Sequence, residues 1–119
     1  MSKPVGPYTP IVRAGAWLVC SGQLGLLDGK LVDGDTVAQA KQGLANLRSL
    51  FEGEGSSLDA IVKTTVFLTD MGDFSAMNEV YMEAFGDHRP ARSCVAVAAL
   101  PLGATFEIEA WAHTGPSAG

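Results

Sequence analysis

The segment PARSCVAVAALP, residues 90–101, places an arginine at the start of a run of small and apolar residues. Arg92 and Cys94 lie two positions apart, so on a β-strand both side chains point to the same side. A guanidinium group offers a planar fork that matches a carboxylate, which makes Arg92 a candidate receptor for an anionic ligand. From the spacing alone, a rim ion pair is the more frequent role for such an arginine.

Two glutamates near the end of the chain could supply a carboxylate for chemistry at Arg92. Polar and apolar residues alternate over 105–113, which predicts a strand with Glu107 and Glu109 on one face. If this strand pairs with the Arg92 segment through the short turn LPLGA, one glutamate lies near Arg92. The alternation leaves open whether that residue is Glu107 or Glu109, and solvated strand positions are the more common role for both.

Metal sites, phosphate loops and activated nucleophiles find little support in the sequence. His88 and His113 are far apart, and neither has Cys, Asp or Glu neighbours at the spacing of a zinc site. Cys20 and Cys94 are typical of small buried residues, and no Cys–His pair is visible locally. The chain contains neither a P-loop nor a dinucleotide-binding fingerprint.

Composition and charge predict one globular domain, residues 1–119, of which 47% are hydrophobic. The net charge is −5, and its 8 basic residues are scattered, which argues against nucleic acid as a partner. No apolar run is long enough to span a membrane. The first residues lack the apolar core of a secretory signal, so we expect a cytoplasmic protein with reduced thiols.

The first half of the chain predicts strands followed by a long helix. Residues 17–24 favour a β-strand, and Asp-Gly at 28–29 signals a hairpin that leads into a short second strand. Apolar residues then recur with helical spacing. Thr36 and Gln39 fit a capping box at the start of this helix, and the glycines of 53–55 end it.

The second half predicts a strand over 61–68, a helix that Asp73 caps, and two final strands over 92–98 and 105–113. The element order is therefore β-β-α-β-α-β-β. This order indicates an α+β fold in which two helices cover one face of a mixed or mostly antiparallel sheet.

The other face of such a sheet has to meet water or a second copy of the chain. Alternation places Cys94, Ala96 and Ala98 on the same side of their strand as Arg92. Because small residues allow close packing, we expect a homo-oligomer that buries this face.

Four segments, in the same order along the chain, resemble the RidA/YjgF family of reactive-intermediate deaminases. They are GPY at 6–8, SGQ at 21–23, IVKTTVFLTDMGDFSAMNEVY at 61–81, and PARSCVAVAALP at 90–101 followed by FEIEA at 106–110. The resemblance implies a chorismate-mutase-like fold and a homotrimer with three clefts between subunits. It also implies hydrolysis of 2-imino acids released by pyridoxal-phosphate enzymes, such as 2-aminoacrylate/2-iminopropanoate to pyruvate and ammonia, without metal or organic cofactor.

The resemblance also implies roles for individual residues. Arg92 matches the arginine that grips the substrate carboxylate, and Glu107, rather than Glu109, matches the carboxylate that positions or deprotonates the attacking water. Four further positions match residues that line the family's cleft: Tyr8, Ser21, Gly22 and Cys94. Among these, the tyrosine corresponds to an aromatic wall, and the backbone of the cysteine corresponds to a contact on the imine-nitrogen side.

Two departures from the family pattern concern the connector over residues 82–89. It is shorter than in many members, and Arg89 stands where an aromatic residue often precedes the proline. We therefore expect substrate size or preference to differ. Two other functions compete with deamination: a trimer that binds a small carboxylate or a partner without turnover, and, more remotely, an endoribonuclease or translation inhibitor, against which the acidic balance argues.

Overall fold

The structure, a computed structural model, describes residues 6–115, in which seven strands and two helices follow one another. The elements are β1 (Ile11–Ala14), β2 (Trp17–Leu24), β3 (Leu26–Leu27), β4 (Lys30–Leu31), α1 (Thr36–Gly53), β5 (Ile61–Leu68), α2 (Phe74–Phe85), β6 (Ala91–Ala96) and β7 (Phe106–His113). Neither helix is long and apolar enough to cross a bilayer. Residues 1–5, where we expect no secretory signal, lie outside the described residues.

Five strands form one mixed sheet in the order β1-β2-β7-β5-β6. Four of these strands pair antiparallel, whereas β6 runs parallel to β5 because the chain crosses back through α2 between them. The predicted α+β fold and the order β-β-α-β-α-β-β of the main strands are therefore confirmed. The identity of one strand differs from the prediction. The strand that joins β2 in the main sheet is β1, whereas the strands on either side of Asp28-Gly29 form a separate two-stranded sheet.

Both helices pack on one face of this sheet, where alternate strand residues are buried. Strand side chains in the core are Leu18, Cys20, Ile61, Val66, Leu68, Phe106, Ile108, Ala110 and Ala112. Helix side chains that meet them are Ala40, Leu44, Leu47, Leu50, Phe51, Met77, Val80, Tyr81 and Phe85. Full burial of one large apolar side chain contributes about 1.5–3 kcal/mol, so this layer holds the sheet and helices together.

The predicted small-residue face is not the open face of the sheet. Arg92 and Cys94 pair in register with Thr64 and Val66, which are fully buried on the helix side. The side chains of β6 that face away from the helices are therefore those of the alternate positions. The premise that the helices leave the cysteine and alanine side uncovered was wrong, because alternation alone does not tell which face the helices cover. That another copy of the chain packs on this side stays a prediction.

The two last strands do not form the hairpin that the LPLGA turn suggested. β5 lies between β6 and β7 and pairs with both. Arg92 lies on the helix side of the sheet, while Glu107 and Glu109 alternate with buried β7 residues and face the other side. Within one chain, neither glutamate is a neighbour of Arg92, so the pairing premise was wrong.

The helix starts also differ from the predicted caps. Asp35, rather than Thr36, caps α1 by accepting a 3.1 Å hydrogen bond from a first-turn N–H. The hydroxyl of Thr36 instead contacts Asp73 at 2.8 Å and Thr105 at 2.7 Å, and Gln39 accepts from the Thr105 N–H at 2.8 Å. Asp73 stands at the cap position of α2 without capping it. These side chains tie both helix starts to the beginning of β7.

Candidate active site

Arg92 is held on the helix side of β6 by side chains of α2. Its Nη1 donates a 2.8 Å hydrogen bond to Oδ1 of Asn78. The guanidinium carbon lies 4.8 Å from the ring centre of Tyr81 and 5.6 Å from that of Phe74. Each contact between a cation and an aromatic ring contributes about 0.5–1 kcal/mol at accessible sites. Together these contacts fix the direction of the fork.

The α2 residues that hold Arg92 share one helix face. Phe74, Asn78 and Tyr81 follow one another at spacings of four and three, which places them side by side. The Tyr81 hydroxyl shares a buried 2.8 Å hydrogen bond with the hydroxyl of Thr64. Burial raises the pKa of Tyr81, so the ring beside Arg92 stays neutral at ordinary pH.

Arg92 has no carboxylate partner in the described part of the chain. The ion pair found within 4.0 Å among those residues joins Arg13 to Glu54 at 3.9 Å, on another part of the surface. A half-buried cation loses hydration, and this loss is offset best by an anion. The rim ion pair expected from spacing alone is therefore not formed, and Arg92 is available to an anionic ligand.

A groove of about 470 Å³ runs between α2 and the connector before β6. The residues that line it are Ser75, Asn78, Glu79, Tyr81, Met82, Arg89, Pro90 and Arg92. Cationic, amide and hydroxyl groups stand here beside an aromatic ring and a methionine. This combination suits a small polar acid with a short carbon chain.

Glu107 lies on the opposite face of the sheet, beside an irregularity in β2. The register between β2 and β7 shifts between Cys20 and Gln23, where Ser21 and Gly22 form a β-bulge. Bulges often occur next to active sites, where they change the direction of neighbouring side chains. The SGQ segment therefore interrupts the regular pairing of β2 with β7.

Gly22 leaves the space that the carboxylate of Glu107 occupies. A Cβ atom at position 22 would lie 2.5 Å from Oε2 of Glu107, which is too close. Burial raises the pKa of Glu107, and the nearby charge of Glu109 raises it further. A carboxylate with a raised pKa accepts a proton more readily, as a general base has to.

Ser21 and Tyr8 connect the irregular part of β2 with the segment before β1. The Ser21 hydroxyl donates to the carbonyl of Thr9 at 2.7 Å, and its N–H donates to the carbonyl of Pro10 at 2.8 Å. These bonds fasten the amino-terminal segment to the bulge. Tyr8 and Gly22 line a cleft of about 780 Å³ that the β3–β4 hairpin and the end of α1 complete.

Cys94 packs its side chain against the core, two residues along the strand from Arg92. Burial raises the pKa of this thiol, although the charge of Arg92 acts in the opposite direction. Both cysteines are free, and burial raises the pKa of Cys20 to about 12. Neither is therefore placed as an activated nucleophile. In the described part of the chain β6 is a sheet edge, so backbone groups of Cys94 can face a ligand.

The site residues predicted from the sequence fall into two groups in one chain. We call Arg92, Asn78, Tyr81 and Cys94 the arginine half, and Ser21, Gly22 and Glu107 the glutamate half. Tyr8 shares a cleft with Gly22, but Glu107 does not line that cleft. Arg92 and Glu107 lie on opposite faces of the sheet. Sequence reasoning missed Asn78 and the contact of Tyr81 with the guanidinium. An amide beside the apolar stripe of α2 was the available signal.

Residues 6–115 contain no group of three or more His, Cys, Asp or Glu side chains placed to bind a metal ion. Both histidines have other contacts. Nε2 of His88 donates to the carbonyl of Ile61 at 2.7 Å, and the ring of His113 packs edge-on against Trp17. The groups that remain as candidates for chemistry are the guanidinium of Arg92 and the carboxylate of Glu107.

Comparison with known proteins finds similarity over nearly the whole chain. The family model described as Endoribonuclease L-PSP matches residues 1–114. The 2-iminobutanoate/2-iminopropanoate deaminase of Mus musculus is 45% identical over 114 residues, covering 94% of this chain and 84% of the mouse protein. A RutC family protein of Pyrococcus horikoshii is 44% identical over 113 residues, covering 93% of this chain and 90% of its own.

Solved structures agree with these similarities. E. coli TdcF with bound serine superposes with a TM-score of 0.89 at 38% identity, covering 94% of this chain and 91% of TdcF. RidA from the Antarctic bacterium Psychrobacter superposes with a TM-score of 0.89 at 40% identity, covering 93% of this chain and 91% of its own. The fold therefore matches that of both proteins over nearly their full lengths.

Proposed function

Because the chain belongs to the Endoribonuclease L-PSP family, together with RidA and RutC proteins, we propose that it is an imine deaminase. It hydrolyses 2-imino acids to 2-oxo acids and ammonia, and the simplest substrate is 2-iminopropanoate, which gives pyruvate. The name of the mouse relative supports this reaction. The RidA-family resemblance read from the sequence is confirmed by these similarities.

The observation that carries the proposal is the state of Arg92. Its guanidinium is fixed by Asn78 and two aromatic rings, yet no carboxylate of the described chain neutralises it. A fork held in this way binds a carboxylate with two parallel charge-assisted hydrogen bonds. TdcF, a relative that binds serine, shows that a member of the family binds a small amino acid.

The chemistry needs a positioned water and a base. An imine carbon is already electrophilic, so Glu107 takes a proton from water while the water oxygen bonds to carbon 2. The electrons of the C=N bond move to nitrogen, which gains a proton. Glu107 then passes the proton of the new hydroxyl group to nitrogen, and the C–N bond breaks as the C=O bond forms, which releases ammonia and leaves the 2-oxo acid. Holding the substrate carboxylate on Arg92 contributes proximity and orientation to this step.

A homotrimer joins the two halves of the site in our proposal. One chain separates Arg92 from Glu107 across the sheet, so a single copy cannot present both to one small ligand. The open face also exposes Trp17 by 39% and Trp111 by 45%, and their rings contact each other. Exposed aromatic clusters of this kind are typical of subunit interfaces. Each cleft would then take its arginine half and its glutamate half from different subunits.

A coupled assay tests the proposal. A serine or threonine dehydratase generates the imine, and imine decay is followed with and without this protein. We expect acceleration by the wild-type protein and none by Arg92→Ala, with circular dichroism and light scattering confirming that the variant is folded and assembled. Binding of 2-oxo acids without acceleration would favour the non-catalytic trimer.

The endoribonuclease named in the family description is tested in parallel by incubation with RNA. The net charge of −5 and the absence of a basic cluster in the sequence disfavour RNA binding. We expect no RNA cleavage at protein concentrations that are high enough to hydrolyse all of the imine in the parallel assay. Cleavage that Arg92→Ala abolishes would assign the site to RNA instead.

A further inference from the structure

Arg89 places a second guanidinium on the groove that Arg92 lines. The two residues are three positions apart, so their Cα atoms lie within about 10 Å even in extended chain. Arg92 is half-buried at the inner side of the groove, whereas Arg89 is exposed at its rim. Two long cationic side chains on one groove can contact the two ends of one small ligand.

The side chain of Arg89 is held by its own connector. Its Nη1 donates to the carbonyl oxygen of His88 at 3.0 Å and also to that of Gly86. His88 in turn donates to the carbonyl of Ile61, which anchors the connector to the sheet. In the described part of the chain, Nε and Nη2 of Arg89 have no such acceptor, so their donors are available. The guanidinium is therefore oriented before a ligand arrives.

The charges on this groove favour two anionic groups. Beside the two arginines, the groove contains one carboxylate, that of Glu79, which is exposed on α2. Among the described residues Glu79 is not within 4.0 Å of either guanidinium. The groove therefore carries a local excess of positive charge on a chain whose net charge is −5.

We propose that this groove selects 2-imino acids that carry a second carboxylate, the imines of acidic amino acids. Arg92 binds the carboxylate next to the imine carbon, and Arg89 binds the carboxylate at the end of the side chain. The reaction is the same addition of water, and its products are a 2-oxo dicarboxylate and ammonia. This assignment rests on the proposed deaminase function and names its substrate class.

Selectivity between two kinds of imine tests the assignment. Amino-acid oxidases generate imines from aspartate and glutamate, and from alanine and leucine, and the loss of semicarbazide-trappable imine is followed. The measured quantity is the ratio of kcat/KM for dicarboxylic over monocarboxylic imines. We expect Arg89→Met to lower this ratio roughly three- to tenfold, because one charge-assisted contact is lost. Lys41→Met, which removes an exposed cation of α1 outside the groove, should leave the ratio unchanged.

The outcomes separate this assignment from the proposed function. Equal losses on both kinds of imine in Arg89→Met would overturn the assignment and give Arg89 a structural role in its connector. Turnover of monocarboxylic imines alone would overturn it too, while leaving the deaminase function intact. No turnover of any imine would instead remove the proposed function itself. If Arg89→Met does not fold, Glu79→Gln replaces it, and the assignment then requires the ratio to rise.

Discussion

The arginine half and the glutamate half of the site are built by different physical means. Side chains of α2 hold Arg92, through one amide and two aromatic rings. Glu107 instead takes its place because the backbone of β2 bulges and Gly22 has no side chain. One half therefore depends on which residues pack around it, and the other depends on strand register and on a missing Cβ atom.

The two halves also differ in their response to protons. An arginine stays charged throughout the pH range of proteins, so the arginine half binds anions at any such pH. Burial and a second carboxylate raise the pKa of Glu107, so the glutamate half changes its charge in acid. In our proposal the arginine half therefore binds the substrate and the glutamate half transfers protons, and the predictions below test that division.

The largest change in activity is expected when two inactive variants are mixed. Arg92→Ala and Glu107→Gln should each lower kcat/KM at least about 100-fold, because one removes the substrate anchor and the other the base. If the halves come from different subunits, trimers refolded from equal amounts of both variants regain roughly a quarter of wild-type activity. The reason is that about half of the sites receive an intact arginine half, and about half of those also receive an intact glutamate half.

The control is the double variant carrying both changes, mixed with itself. It contains no intact half and should stay inactive after the same refolding. A mixture of the two variants that stays inactive, although native mass spectrometry shows mixed trimers, would contradict a site shared between subunits.

The second prediction concerns the space beside Glu107. Gly22→Ala places a methyl group 2.5 Å from the present position of Oε2, and the flexible carboxylate has to move. We expect kcat to fall roughly ten- to hundredfold, because a displacement of about 1 Å at a base is enough for that loss. The melting temperature should change little, since the end of a side chain moves rather than the backbone.

Gly53→Ala is the matched control, because a Cβ at that helical position meets nothing within 4 Å. It should preserve kcat and, since alanine favours helix, leave the protein at least as stable. A Gly22→Ala protein with full activity would show that the bulge does not define the position of Glu107.

The third prediction addresses the arginine half through its amide. Asn78→Ala removes the 2.8 Å hydrogen bond that orients Arg92 but leaves its charge and both rings. We expect KM to rise roughly three- to tenfold with a smaller change in kcat, because substrate binding rather than proton transfer is affected. Steady-state kinetics on the same imine measures both constants.

Asn78→Asp sharpens this result. An aspartate there pairs with Arg92 and competes with the substrate carboxylate, so KM should rise further than in Asn78→Ala. The fold should remain intact, because the new ion pair replaces the lost hydrogen bond. A lower KM in the aspartate variant would argue against Arg92 as the carboxylate receptor.

The strands of both halves could be predicted from the sequence more fully than their arrangement. The bounds of β2 and β5 agree with the prediction because apolar and β-branched residues predominate in 17–24 and 61–68. The place of β6 could not be predicted in this way. LPLGA is short enough for a hairpin, and only the crossover through α2 sets β6 beyond β5.

The contacts inside the site were harder to predict from the sequence than the strands, because they join residues that are distant along the chain. A glycine within a strand is a signal for a bulge, so Gly22 could have indicated the irregularity in β2. That Glu107 fills the space it leaves depends on the register between two strands distant in sequence. Thr36 likewise does not cap α1 as predicted, because its hydroxyl contacts Asp73 and Thr105, which are distant in sequence.

The smallest predicted effect is a shift in the pH dependence of the glutamate half. The acid limb of kcat/KM should lie above pH 4.5, the ordinary pKa of a glutamate, because burial raises the pKa of Glu107 and only its ionised form accepts a proton. Glu109→Gln removes the neighbouring charge that also raises this pKa, so the limb should move to lower pH. Spontaneous imine decay is subtracted at each pH.

Stability should depend on pH in the opposite sense to activity at this residue. Since its pKa is raised, folded Glu107 holds its proton more tightly than the unfolded chain does, and this adds stability at low pH. That contribution is lost as the pH rises through the folded pKa, where activity begins. Glu107→Gln should therefore show a free energy of unfolding that falls less than the wild type over this range, measured by urea denaturation at several pH values. A steeper fall in the variant would mean that the ionised carboxylate is stabilised by its surroundings, and the glutamate half would then lack the proton affinity that its role as a base requires.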